Sequence, residues 1–193
     1  PDTYGYEVDE ARARATVHSI FDGPVNALDT SNNYGFGRSE ERVGQVIRER
    51  GGLPEGFVIS TKLDRDMDTQ RLDASRARRS LEESLTRLGV DKIQILHLQD
   101  PEYVADLSEL TAKGGAFDEL IKMKEEGLAD AIGLAMGRLD LMSELLDGGW
   151  PFDAIISHNR YTLLNRSADE VFSRASAAGI SVLNAAPYAS GIL

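Results

Sequence analysis

The sequence predicts an α/β fold with a parallel sheet, and three observations lead to that prediction. Short apolar runs alternate with amphipathic helical patterns along the whole 193 residues, which is typical of repeated βα units. Most of the apolar runs are nearly continuous, as expected of strands that are buried on both faces. No shift in composition and no low-complexity linker interrupts the alternation. We therefore expect a single domain over residues 1–193.

Six strands and six helices are predicted. The strand candidates are VNALDT (25–30), FVISTK (57–62), KIQILHL (92–98), DAIGLAM (130–136), DAIISH (153–158) and ISVLNAA (180–186). The amphipathic helices are expected at about 7–21, 38–50, 69–88, 115–126, 138–148 and 165–178.

The helix predicted over 69–88 has the clearest pattern. Its leucines fall on one face, and its charged residues largely face away from them. These charged residues are Arg76, Arg78, Arg79, Glu82 and Glu83. We interpret them as a solvated face rather than a binding patch. Asp68 or Thr69 is expected to cap the start of the helix, and Gly89 is expected to end it.

The alternation fits both an open doubly wound sheet and a TIM-type (β/α)8 barrel. An open nucleotide-binding sheet should carry a glycine-rich turn after its first strand. Here the first strand is followed by SNNYGFGRSE, which matches such a turn only in part. The barrel is therefore favoured. Because a complete barrel has eight strands in about 250 residues, we expect a partial barrel, running from its first helix to its seventh strand and lacking the first and eighth strands.

The composition excludes several classes of partner and site. The net charge of −11 would repel nucleic-acid phosphates and anionic lipids. The absence of cysteine excludes disulfides and thiolate sites. No apolar run approaches the roughly 18 residues of a membrane span, and the three histidines show no metal-ligand spacing. We expect a cytoplasmic protein without nucleic-acid, membrane or metal partners; the sequence does not predict its oligomeric state.

Ionisable or polar side chains close three successive predicted strands. They are Asp29, Lys62 and His97, each about one βα unit from the next. In a barrel the carboxyl ends of the strands meet at one rim, so we expect these side chains to lie together. Taken singly, Asp29 could cap a turn, Lys62 could reach solvent and His97 could be a core histidine. A lysine that ends an apolar strand needs an anion if it is buried, and Asp29 is the natural partner.

Tyr34 lies in the loop that follows Asp29, just before Gly-Phe-Gly. By itself it would be interpreted as a buried aromatic anchor. Beside Lys62, however, its phenol has the chemistry of a proton donor. A nearby cation lowers the pKa of tyrosine from its ordinary value of about 10. We therefore predict a Tyr34 phenol whose pKa is lowered by Lys62, poised for acid–base catalysis.

The motifs around these residues resemble those of the aldo-keto reductases. They read DTSNNYG with SEERVG, FVISTKL and SLEESLTRLGVDKIQILHLQDPE. The resemblance implies a (β/α)8 barrel that moves a hydride between NADP or NAD and a small carbonyl or alcohol substrate. It also implies that Tyr34 is the general acid/base, that Lys62 and Asp29 tune it, and that His97 orients the carbonyl.

Three further segments are most similar to those of sugar dehydrogenases within the family, which oxidise aldoses at the anomeric carbon. They are HLQDPEY, NRYTLLN and VLNAAPYASGIL. Asp100 and Pro101 would then belong to the substrate loop. Two alternatives stay open: a general aldehyde or ketone reductase, and a regulatory barrel like the potassium-channel β subunits, which keep the same four residues.

The cofactor half departs from the family pattern. Ala135 and Met136 stand where many members have Ser-Asn to hold the nicotinamide amide, and Ala185 stands where an aromatic ring commonly stacks on it. The amide is therefore expected to be held from the end of the next-to-last predicted strand. The predicted cofactor-binding residues are Asp29, Ser157, His158, Asn159 and Tyr188.

Overall fold

The computed structural model of the protein describes residues 8–192. Within this range there is one parallel sheet of six strands in the order β1-β2-β3-β4-β5-β6. The strands are β1 (Ala27–Asp29), β2 (Val58–Leu63), β3 (Ile93–Gln99), β4 (Ala129–Ala135), β5 (Ala154–His158) and β6 (Ser181–Ala185). The helices are α1 (Glu10–Asp22), α2 (Arg38–Arg50), α3 (Ala74–Leu88), α4 (Ser108–Thr111), α5 (Ala116–Glu125), α6 (Leu139–Asp147) and α7 (Asp169–Ala177). Single 3-10 turns occupy Pro101–Tyr103 and Ala189–Gly191.

All five strand pairings are parallel, which confirms the predicted α/β architecture. In the described part of the chain β1 and β6 are the sheet edges and do not pair with each other, so the sheet is not closed. The register places Asp29 beside Ser60 and Lys62 beside His97. Because alternate residues of a strand share a face, these four side chains project from the same face of the sheet.

Helix α3 starts later than the sequence predicted. Its first residue is Ala74, and Asp73 is the cap, accepting the Arg76 N–H at 2.9 Å. The predicted caps Asp68 and Thr69 are wrong, because they belong to a separate turn. In that turn the Asp66 carboxylate accepts the Thr69 N–H at 2.8 Å. Gly89 ends the helix in the left-handed conformation, as predicted.

The outer face of α3 is less solvated than predicted. Arg76 pairs with Glu83 at 2.9 Å and donates to the backbone carbonyl of Asp64 at 2.9 Å, so this arginine joins the helix to the end of β2. On the α2 side, a Cβ added at Gly44 would lie 2.0 Å from the carbonyl oxygen of Arg87. Only glycine allows this close approach of α2 and α3, the two helices that lie behind the Tyr34 loop.

The remaining boundaries differ by a few residues. Helix α7 starts at Asp169 rather than 165, because Thr162 closes a local turn by accepting the Asn165 N–H at 2.9 Å. The four-residue helix α4 was not predicted. The first helix, predicted over 7–21, is seen as α1, and residue 7 lies outside the described residues.

Candidate active site

Lys62 and Asp29 form an ion pair at the carboxyl ends of β2 and β1. The Lys62 ammonium donates to Asp29 Oδ2 at 2.7 Å and also to the backbone carbonyl of Thr30. Only 3% of the Lys62 side chain is exposed, against 31% of Asp29. A buried ammonium requires such an anion, so the structure brings together the two residues that the sequence paired.

The Tyr34 ring lies over the Lys62 ammonium, with 4.8 Å between Nζ and the ring centroid. Burial raises the pKa of the Tyr34 phenol, Lys62 lowers it, and the Asp29 carboxylate raises it again, so the net direction is upward. The expectation that Lys62 lowers this pKa overall is therefore wrong. That expectation counted the cation but left out the loss of water around the phenol, which outweighs it.

His97 is fully buried beside the ion pair, and burial lowers its pKa to about 4, so the imidazole is neutral near pH 7. Its Nδ1 lies 3.2 Å from Ser60 Oγ, and the Ser60 hydroxyl donates to Asp29 Oδ1 at 2.7 Å. A hydroxyl has one proton, so Ser60 accepts from His97 Nδ1–H and leaves Nε2 as an acceptor. Sequence reasoning missed Ser60. Its position two residues before Lys62 on the same strand was the available signal.

A cavity of about 320 Å³ lies at the carboxyl ends of all six strands. Its lining residues are Asp29, Tyr34, Lys62, Gln99, Asp100, Ala135, Met136, Ile156, Ser157, His158, Asn159, Ala185, Ala186 and Ser190. Among the described residues His97 does not line it, because the residue is fully buried. A larger and more open groove on α7 and β6 contains none of the predicted site residues. We therefore take the smaller cavity as the candidate site, because Lys62, Asp29 and Tyr34 line it.

The family model described as the aldo/keto reductase family matches residues 2–193. The chain belongs to the aldo/keto reductase family. It is 31% identical to L-galactose dehydrogenase of Arabidopsis thaliana, over 96% of this chain and 58% of the relative. It is also 31% identical to D-threo-aldose 1-dehydrogenase of Pseudomonas sp, over 94% of this chain and 61% of the relative. The predicted resemblance to the sugar dehydrogenases of the family is thus confirmed. The chain spans about three fifths of the length of these relatives.

Solved aldo/keto reductases share the fold. The holo form of AKR11C1 from Bacillus halodurans has a TM-score of 0.76 at 22% identity, over 92% of this chain and 58% of that one. A putative aldo-keto reductase from Pseudomona aeruginosa has a TM-score of 0.71 at 26% identity, over 92% of this chain and 66% of that one. In residues 8–192 no helix has the length and hydropathy to cross a bilayer, and no cluster of side chains is suited to a metal ion.

The cavity of this aldo/keto reductase has features that fit a nicotinamide ring. Ala135, Ala185 and Ala186 line it with small side chains, which leave room for a flat ring. Ser157 Oγ lies in the same wall, buried and without a hydrogen-bond partner among residues 8–192. A buried hydroxyl without a partner is costly, so Ser157 Oγ is available to pair with a polar group bound in the cavity.

Of the other predicted cofactor contacts, Asp29, His158 and Asn159 also line the cavity. The His158 imidazole packs on Gly137, where an added Cβ would lie 3.0 Å from its Nε2. The Asn159 side-chain Oδ1 already accepts a hydrogen bond from the Ser190 hydroxyl at 3.0 Å. Tyr188 is 70% exposed and, within the described chain, lies outside the cavity lining.

If Ser157 and His158 hold the nicotinamide amide, Ser157→Ala and His158→Ala should each weaken cofactor binding by about 1–3 kcal/mol, because each would leave a polar group of the amide unpaired. Fluorescence titration with NADH and NADPH measures the effect. Ser173→Ala removes the same hydroxyl from an exposed position of α7 and should leave affinity unchanged. Equal affinities in all three variants and the parent would show that the amide is held elsewhere.

Proposed function

We propose that the protein is an NAD(P)-dependent oxidoreductase that interconverts a carbonyl and an alcohol, and that aldoses oxidised at the anomeric carbon are its substrates. The observation that carries the proposal is the Lys62–Asp29 pair in the wall of the cavity, with the buried Lys62 ammonium against the Tyr34 ring. Ser157, His158 and Asp29 would hold the nicotinamide end of the cofactor, which supplies or accepts the hydride when bound.

The roles of this chain's residues follow from their positions. In oxidation the substrate hydroxyl gives its proton to the ionised Tyr34 phenol while the hydride leaves the same carbon, and a C=O bond forms. In reduction the neutral Tyr34 phenol donates that proton back to the carbonyl oxygen. Lys62 stabilises negative charge on the phenol oxygen, and Asp29 compensates the charge of the buried Lys62 ammonium. His97 lies outside the cavity lining, and its contact with Ser60, which donates to Asp29, supports the ion pair.

Polar groups in the cavity support a polyhydroxylated substrate. Gln99 and Asp100 line it beside Lys62. Asp100 has a φ of 49°, a left-handed conformation that is uncommon for any residue except glycine. Its N–H donates to the Ala135 carbonyl at 2.8 Å, which fixes this turn at the end of β3. Strained backbone of this kind is concentrated at functional sites, and the relatives named as sugar dehydrogenases agree with the assignment.

Asp100→Asn should raise KM for aldoses by about ten-fold, because a carboxylate accepts sugar hydroxyls through charge-assisted hydrogen bonds that an amide replaces only weakly. KM for a simple aromatic aldehyde, which has no such hydroxyls, should stay within about two-fold. Burial raises the pKa of Asp100, so the comparison is made at pH 8, which favours the ionised carboxylate. Equal changes in KM for both substrates would remove Asp100 from sugar recognition.

Initial rates with NAD⁺ and NADP⁺ against a panel of aldoses, together with reduction of simple aldehydes, test the proposal. Turnover of an aldose to its lactone is expected. The raised pKa of Tyr34 favours a neutral phenol and hence the reducing direction. A general aldehyde reductase is therefore the second candidate. Turnover of aldehydes without turnover of aldoses would favour it. Cofactor binding without any turnover would favour a regulatory barrel, a role consistent with the 26% identity to a protein named as a probable voltage-gated potassium channel subunit beta of Oryza sativa subsp. japonica.

A further inference from the structure

The loop of residues 30–37 carries Tyr34 and is held through its polar groups. The Arg87 guanidinium donates to the Asn32 carbonyl at 2.9 Å, and the Asn32 amide donates to the Ser80 carbonyl at 3.0 Å. Both contacts fasten the back of the loop to α3. The residues on either side of Asn32 are held by a different group.

That group is the Asp64 carboxylate, two residues after Lys62 along the same segment. Asp64 Oδ2 accepts the Asn33 N–H at 3.0 Å and also the Ser31 hydroxyl. The two donors belong to the residues one and three positions before Tyr34. Asp64 is 3% exposed, and among the described residues it forms no ion pair. One segment of chain therefore supplies Lys62 and also fixes the loop that aims the phenol at it.

A buried carboxylate without an ion pair is unfavourable for folding. Burial raises the pKa of Asp64 to about 6, although hydrogen bonds from Ser31 and Asn33 lower it. The charged groups around it are Lys62, which lowers this pKa, Asp100, which raises it, and Arg76, which donates to the Asp64 backbone carbonyl. Because the folded pKa lies above the ordinary 3.8, the free energy of unfolding falls as the pH rises from about 4 to 6. Ionisation of Asp64 near pH 7 therefore lowers the free energy of unfolding. A carboxylate kept at this cost points to a role in the site.

We propose that Asp64 is a positioning residue for Tyr34, whose carboxylate holds the 30–37 loop so that the phenol lies over Lys62. The proposal rests on the proposed function, in which Tyr34 exchanges the proton. Hydrogen bonds to an ionised carboxylate are about twice as strong as those to a neutral acceptor. A neutral group at this position therefore holds the loop less firmly, and a residue without an acceptor releases it.

The test compares Asp64→Ala, Asp64→Asn and the control Asp68→Asn, an exposed aspartate in the same segment. Asp64→Ala should lower kcat by about ten- to a hundred-fold, as misplacement of a reacting group does, with cofactor affinity unchanged. Asp64→Asn should lose about three- to ten-fold, since it keeps an acceptor but not the charge. In the reduction of a simple aldehyde, which uses the neutral Tyr34 phenol, kcat of Asp64→Asn should be flat below pH 7, whereas kcat of the unaltered protein and of Asp68→Asn should fall below about pH 6 towards the Asp64→Asn value. Melting at pH 8 should show Asp64→Asn to be at least as stable as the parent.

The proposal is overturned if kcat of Asp64→Ala lies within about two-fold of that of Asp68→Asn, or if Asp64→Asn keeps the acid limb. If Asp64→Ala does not fold, Ser31→Ala provides the same test, because it removes one donor only. Since the Ser31 hydrogen bond lowers the Asp64 pKa, the acid limb of Ser31→Ala should move to higher pH. An unmoved limb contradicts the proposal.

A measurement that does not depend on activity separates failure of the positioning role from failure of the proposed function. If the unaltered protein turns over no substrate, NMR of isotope-labelled tyrosine reports the phenol directly, with the Tyr34 signal assigned from Tyr34→Phe. That signal should shift in Asp64→Ala and stay in place in Asp68→Asn. An unshifted signal in Asp64→Ala overturns the positioning role whether or not activity is found.

Discussion

Tyr34→Phe is expected to lower kcat by about 10²–10⁴, the factor that a positioned acid or base contributes. The substitution removes the phenol oxygen that exchanges the proton and leaves the ring that packs on Lys62. Cofactor affinity should stay within about two-fold, because the predicted amide contacts lie on β5. Steady-state rates in both directions and a fluorescence titration measure the two quantities.

The matched control is Tyr103→Phe, which removes a hydroxyl from a ring that is 61% exposed. Its kcat should equal that of the unaltered protein. A Tyr34→Phe variant that keeps more than about a tenth of kcat would identify Tyr34 as an aromatic anchor, since the loss is then too small for an acid or base.

The pKa of Tyr34 sets the pH dependence of the two directions. Because this pKa is raised, the phenol is neutral near pH 7 and ionises only in alkaline solution. Reduction, which uses the neutral phenol, should be active at neutral pH and should decline as the phenol ionises. Oxidation, which uses the ionised phenol, should increase over the same alkaline range.

Lys62→Met is expected to lower kcat by about 10²–10³, comparable to the loss of one donor that stabilises a developing oxyanion. It also leaves Asp29 without its cation, and breaking a buried ion pair costs about 3–5 kcal/mol of stability. The cost should lie below that range here, because 31% of the Asp29 side chain is exposed and gains water. Since Lys62 lowers the Tyr34 pKa, its loss should move the alkaline limb of the kcat–pH profile to higher pH.

Lys92→Met is the control for this change, because Lys92 pairs with Asp130 at the surface, where the side chains are 45% and 52% exposed. Exposed pairs contribute about 0–1 kcal/mol, so its activity and melting temperature should hardly change. If Lys62→Met matched Lys92→Met in kcat, the ammonium would have no part in catalysis.

The elements that sequence predicted well are those set by periodicity. Parallel strands present their carboxyl ends on one rim, so spacing along the chain was enough to bring Asp29, Lys62 and His97 together. The residue at which helix α3 starts was harder to predict. The segment 66–73 contains several possible caps, and the turn closed by Asp66 made Asp73 the cap instead of Asp68.

Features that depend on burial could not be predicted from the same pattern. The direction of the Tyr34 pKa results from competition between lost water and the Lys62 charge, and the sequence shows only the charge. Asp64 follows a strand and reads as an ordinary surface aspartate until the 30–37 loop covers it. The contact of Ser60 with His97 required the register of β2 against β3, which the sequence does not specify.

The central claim is that Tyr34 and Lys62 act as one proton-exchanging unit, and a double-mutant cycle tests it most directly. Residues that act together lose their contribution once, so kcat of the Tyr34→Phe/Lys62→Met variant should lie within about three-fold of the worse single variant. The cycle is measured in both directions on the best substrate found. A double loss equal to the product of the two single losses would show that the residues act independently and would contradict the account.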